Sequence, residues 1–130
     1  HGALICTMVI VSAADSDMTD AELAIIGEIV GHLPVFRDFD RNNLPSVLES
    51  CSLLLSREDG LDEAFTEIKK VLPANLRETA YALACDVAAA DGEAAQEELR
   101  VLEMMRHRLN IDRLIAAGIE RGARARFQTL

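Results

Sequence analysis

One short pattern occurs twice in this chain, and it constrains the fold more than any other feature. Ala89-Ala90-Asp91-Gly92-Glu93 is followed by Glu98-Leu99, and Ala13-Ala14-Asp15-Ser16-Asp17 is followed by Glu22-Leu23. Both copies obey A-A-D-x-[D/E]-x-x-x-x-E-L, and Asp15 and Asp91 stand 76 positions apart. An apolar run precedes each copy and another follows it. The repeating unit is therefore helix, acidic turn, helix. Two such hairpins predict an all-α fold in which they are related by pseudo-two-fold symmetry.

The spacing of apolar residues predicts about seven helices. Residues 3–14 are apolar nearly all round, as a central helix must be. Thr19 with Glu22 three residues on forms a capping box, opening a helix that runs to about Leu33 with Leu23, Ile26, Val30 and Leu33 inward. Val35 to Asn43 form a polar connection. Pro45 suits the first turn of a third helix, which presents Leu44, Val47, Leu48, Cys51, Leu54 and Leu55 on one face. Ser56 to Gly60 break it, and Leu61, Phe65, Ile68 and Leu72 stripe a fourth. The fifth follows Pro73 to about Ala90, with Leu76, Ala80, Leu83, Ala84 and Val87 inward. The sixth covers about Ala95 to Leu109, packing through Leu99, Leu102, Met105 and Leu109. Asn110 can cap a seventh carrying Ile111, Leu114, Ile115 and Ile119, where Gly118-x-x-x-Gly122 permits close helix approach but rather marks fraying. No segment alternates for long enough to form a strand.

A chain of 130 residues fits one domain, 1–130, with a core large enough to fold without disulfides. Its opening His-Gly is also compatible with a piece of a longer protein. The net charge is −9, and it is uneven. Residues 1–99 hold 6 basic and 19 acidic side chains, whereas residues 100–130 hold 7 basic and 3 acidic. An acidic body argues against nucleic acid, whose phosphates supply most of the affinity of its binders. It favours cations or a basic protein surface. Cys6, Cys51 and Cys85 are odd in number and lie in apolar helical patterns, which points to a reducing compartment. The longest apolar run, Ala3 to Ala14, is about half of the ~20 residues a membrane span requires. It also lacks the preceding Lys or Arg of a signal peptide.

The acidic turns are the candidate site. Asp15, Asp17 and Glu22 form one set; Asp91, Glu93 and Glu98 form the other, with Asp86 one helical turn earlier. Carboxylates two apart in a turn, joined by a third from the next helix, can converge on a hard cation such as Mg²⁺, Ca²⁺ or Mn²⁺. The spacing is not an EF-hand. Acids at a helix N-terminus also complement the macrodipole by ~0.3–1 kcal/mol each. Glu22 is accounted for by its box with Thr19, but Glu98 faces Ala95, which has no capping oxygen. Glu28/His32 and Glu103/His107 are spaced i,i+4, which permits a transition-metal site, but di-iron bundles use i,i+3 and such a pair in a last helical turn is ordinary surface chemistry. No P-loop, G-x-S-x-G, H-E-x-x-H or C-x-x-C occurs, and nothing nominates a nucleophile or a catalytic base.

At its acidic turns the chain resembles the TerB-like domain family, typified by the tellurite-resistance protein TerB. The resemblance rests on Val87-Ala88-Ala89-Ala90-Asp91-Gly92-Glu93 with Glu97-Glu98-Leu99, on Ser12-Ala13-Ala14-Asp15-Ser16-Asp17 with Glu22-Leu23, and on Asn110-Ile111 after the sixth helix. It covers about residues 3–115. Ser16 stands where the family has a turn glycine, and Ala95 where it has a capping Ser or Thr. The resemblance implies an all-helical bacterial cytoplasmic stress module whose acidic cluster binds metal ions, tied to tellurite resistance or to membrane-linked complexes. The expected function is non-enzymatic binding of divalent cations or a partner protein through an acidic face. The alternatives are a metal-dependent enzyme using the paired acidic turns and a purely structural interaction domain.

Overall fold

The computed structural model describes residues 1–14, 18–90 and 95–130. Among these the chain forms seven α-helices and no strand: α1 Gly2–Ser12, α2 Asp20–His32, α3 Leu44–Leu55, α4 Gly60–Val71, α5 Ala74–Ala89, α6 Gln96–Arg108 and α7 Arg113–Arg126. Two short 3₁₀ turns, Pro34–Phe36 and Arg41–Asn43, fill the connection between α2 and α3.

The centre is α1, where every residue from Leu4 to Ser12 is buried. A helix without a polar face must be surrounded, and α1 packs against α5, α3, α4, α6 and α2. Its one threonine avoids an unsatisfied hydroxyl by donating from Thr7 Oγ1 to the Ala3 carbonyl, 2.8 Å away. The first helices of the two hairpins, α1 and α5, lie against each other. Each also touches the second helix of the other hairpin, α6 and α2 respectively.

Two connections depend on particular residues. At Gly60, which opens α4, a Cβ would lie 2.1 Å from the Leu54 carbonyl oxygen, so only glycine allows so close a turn between α3 and α4. Asn110 does not cap α7 as expected. It ends α6 with φ 55°, in the left-handed region that asparagine tolerates better than most residues. The Asn110 N–H donates to the His107 carbonyl (3.2 Å) and the Ile111 N–H to the Arg106 carbonyl (3.0 Å), a Schellman ending sealed by buried Ile111. The residue before α7 is Asp112.

Helix α7 does not fray at its glycines but continues through both to Arg126. Its inner face is made of small residues, with Ala116 and Ala123 buried, and it packs on α5. Leu114, expected inward, is 82% exposed, and Ile115 is also exposed. Among the described residues no helix is long and apolar enough to cross a membrane.

Candidate functional site

The two acidic turns join α1 to α2 and α5 to α6. Asp15, Asp17, Asp91 and Glu93 lie outside the described residues. The expected ligands that the structure does place are Glu22, Glu98 and Asp86.

Glu22 and Glu98 are buried, at 1% and 3% exposure, one in the first turn of α2 and one in the first turn of α6. The reason is positional. Glu22, Ile26 and Ile29 share one stripe of α2, and Glu98, Leu102, Met105 and Leu109 share one stripe of α6 at the same helical spacing. The carboxylate takes the first place on the inner stripe. The next residue is turned about 100° away by the helical period. Leu23 and Leu99, both expected inward, are therefore 43% and 49% exposed.

Both carboxylates fold back onto their own helix start. Glu22 Oε1 accepts the Thr19 N–H at 2.9 Å and the Thr19 hydroxyl at 3.2 Å, while Thr19 Oγ1 accepts the Glu22 N–H at 3.1 Å. This is the capping box read from the sequence. Glu98 Oε1 accepts the Ala95 N–H at 2.9 Å. Half of the same box thus exists in the second hairpin, and Glu98 does have a capping role despite Ala95. An alanine cannot supply the other half. The cap backbones match closely, with φ −76° and ψ 161° at Thr19 and φ −65° and ψ 157° at Ala95.

Asp86, one turn before the second acidic turn, is half-buried and forms an ion pair with Arg126 at the end of α7. To ligate a cation at the turn it would first release that arginine. The two i,i+4 pairs gather no third ligand, and among the described residues no group of three His, Cys, Asp or Glu side chains converges as a metal site would. His107 instead lies with Nε2 3.0 Å from Arg106 Nη2.

Periodicity gave no sign of a groove beside the second hairpin. It is open, about 940 Å³, and lies between α6 and α7 over a floor from α5 that includes Tyr81, Cys85, Ala88 and Ala89. Leu99 forms part of its wall. The single tyrosine of the chain is fully buried and donates from its hydroxyl to Glu120 Oε1 at 2.7 Å. Burial and then Glu120 raise the Tyr81 phenol above its ordinary range. Burial, with Glu120 second, pushes the Cys85 thiol up to about 12. Both groups therefore stay protonated at neutral pH and are poor nucleophiles. Cys6 and Cys51 meet between α1 and α3, where the partner thiol and burial raise Cys6. All three cysteines are buried, as their apolar settings suggested.

The chain matches the family model described as tellurite resistance protein TerB over residues 1–118. No curated protein and no solved structure matches it.

Proposed function

The chain belongs to the TerB family, and from that premise we propose that it is a non-enzymatic binding module that takes divalent cations at its acidic turns. One observation carries the reading: Glu22 and Glu98 are buried at matched positions of the two hairpins, each directly after an acidic turn. Burying a carboxylate is costly unless it is paired. Each is held by the N–H of its own cap, and the burial is kept in the second hairpin although Ala95 supplies no capping oxygen. A hard cation at the turn would be drawn by Asp91, Glu93 and Glu98, and in the first hairpin by Asp15, Asp17 and Glu22. Asp86 would add a further oxygen only on release from Arg126. Mg²⁺, Ca²⁺ and Mn²⁺ are the fitting ions, because the donors are all oxygens.

The test is thermal melting with each divalent chloride against NaCl of equal ionic strength. A ligand that binds only the folded state stabilises it by RT ln(1 + [L]/Kd), whereas screening alone acts equally for both salts. A rise beyond NaCl supports cation binding, and equal rises refute it.

A second reading is favoured by Leu23 and Leu99. Each is an exposed apolar residue beside an acidic turn, at the same position of the two hairpins. A partner protein with apolar and basic side chains would match that surface. On this reading Leu99→Ser weakens partner capture and leaves the melting temperature unchanged.

A further inference from the structure

Among the described residues, basic side chains gather where α4, α5 and α6 meet. An open pocket of about 630 Å³ is lined by Thr66, Lys69, Lys70, Arg77, His107 and Arg108. It holds four permanent cations and no carboxylate in its lining, in a chain of net charge −9. The cations come from three helices: the lysines from the last turn of α4, Arg77 from the start of α5, and His107 and Arg108 from the end of α6.

Basic residues at helix C-termini complement the macrodipole, which accounts for some of this charge. It does not account for the arrangement. Arg108 is fixed from three sides: it pairs with Asp62, donates to Thr66 Oγ1 at 2.9 Å, and lies 5.5 Å from the centre of the Phe65 ring. Arg77 is fixed by one bond, from Nη2 to the Lys69 carbonyl at 3.1 Å, and its buried Nε–H has no acceptor among the described residues. Lys69 and Lys70 form no ion pair among the described residues. Arg77 is held in place with an N–H to spare, Arg108 borders the pocket already paired with Asp62, and two lysines are left to close on a ligand. Such a set suits an oxyanion with several acceptor oxygens, since arginine forks bind phosphate in a fixed geometry and lysine adds a mobile charge.

We infer that this pocket binds the phosphate group of a small soluble phosphorylated molecule, separately from the acidic turns. A lipid phosphate is disfavoured, because the acidic body around a small concave site is repelled by an anionic membrane surface. The occupant has the chemistry of a phosphomonoester or diphosphate.

The test is titration of the ¹⁵N-labelled chain with pyrophosphate in metal-free buffer, followed by amide chemical shifts. Metal-free conditions keep the outcome independent of cation binding at the turns. Saturable shifts are expected at residues 66–70, 77, 107 and 108, beyond those from NaCl of equal ionic strength. The double change Lys69→Ala with Lys70→Ala should weaken the apparent affinity about tenfold or more, on the strength of charge-assisted contacts. Lys70→Glu, at an exposed position, should do the same while leaving the far-ultraviolet spectrum unchanged. Shifts that rise linearly, that match NaCl, or that persist in both variants would overturn the proposal. Sedimentation with phosphatidic-acid vesicles, lost in Lys70→Glu, would overturn the soluble ligand in favour of a lipid headgroup.

Discussion

The two helix starts differ by one side chain, and that difference predicts a stabilising substitution. At Thr19 the hydroxyl accepts the Glu22 N–H at 3.1 Å, whereas at Ala95 the corresponding acceptor is missing. The backbone angles at the two caps are nearly the same, and the Glu Oε1 to cap N–H distance is 2.9 Å in both. A threonine at 95 therefore places Oγ1 where the Glu98 N–H can reach it. A capping side chain is worth about 1 kcal/mol, with a range of ~0.5–2. For a domain of this size that is a rise in melting temperature of about 3–5 °C. Ala95→Ser should give a similar gain with less bulk, which guards against crowding of the threonine methyl at a half-buried position. Thr19→Ala should cost about 1–2 kcal/mol, because it removes both the accepted bond and the 3.2 Å bond donated to Glu22. Thermal melts of the three variants in one buffer decide the matter. If Thr19→Ala lowers the melting temperature while neither variant at 95 raises it, the two acidic turns do not set their helices in equivalent ways.

Two further outcomes follow from the core and its buried thiol. Leu83→Ala, at a buried position of α5, should destabilise the fold by about 2–5 kcal/mol in urea titration; an unchanged midpoint would mean that α5 faces elsewhere. Cys85 keeps its proton in the folded chain up to about 12, against an ordinary value of 9.0. Between those values the unfolded chain loses the proton while the folded chain holds it. The stability this group contributes is therefore complete below pH ~9 and lost as pH rises through ~12, with a slope of about 1.4 kcal/mol per pH unit. Urea midpoints of Cys85→Ala should fall less steeply than those of the parent chain across that window, and parallel curves would refute the assignment.

Helix number, order and the central place of α1 were legible because they rest on apolar periodicity and on a repeat that survives in both copies. The facing of the first turns was not. A pattern reader takes leucine inward and glutamate outward, yet Glu22 and Glu98 occupy the inner stripe because each bonds the N–H of its own cap. The register of that stripe held the signal: Glu98 is four residues before Leu102 and seven before Met105. By residue type alone Asn110 reads as a helix start, yet it is an ending, since asparagine serves both purposes and only its φ distinguishes them. The groove under α6 and α7 and the cationic pocket gather residues from three helices each, so neither leaves a local spacing to find.

Direct binding of Mn²⁺, followed by loss of the free-ion electron paramagnetic resonance signal as protein is added, tests cation binding at the acidic turns most plainly. The free signal should fall saturably and return when Mg²⁺ or Ca²⁺ is added in excess. Asp91→Asn with Glu98→Gln should abolish the part due to the second turn. The glutamine retains an Oε1 that can still accept the Ala95 N–H, so the start of α6 is preserved and only the charge is lost. A free Mn²⁺ signal that stays at its buffer value at every protein concentration would contradict cation binding and leave the acidic turns to a protein partner.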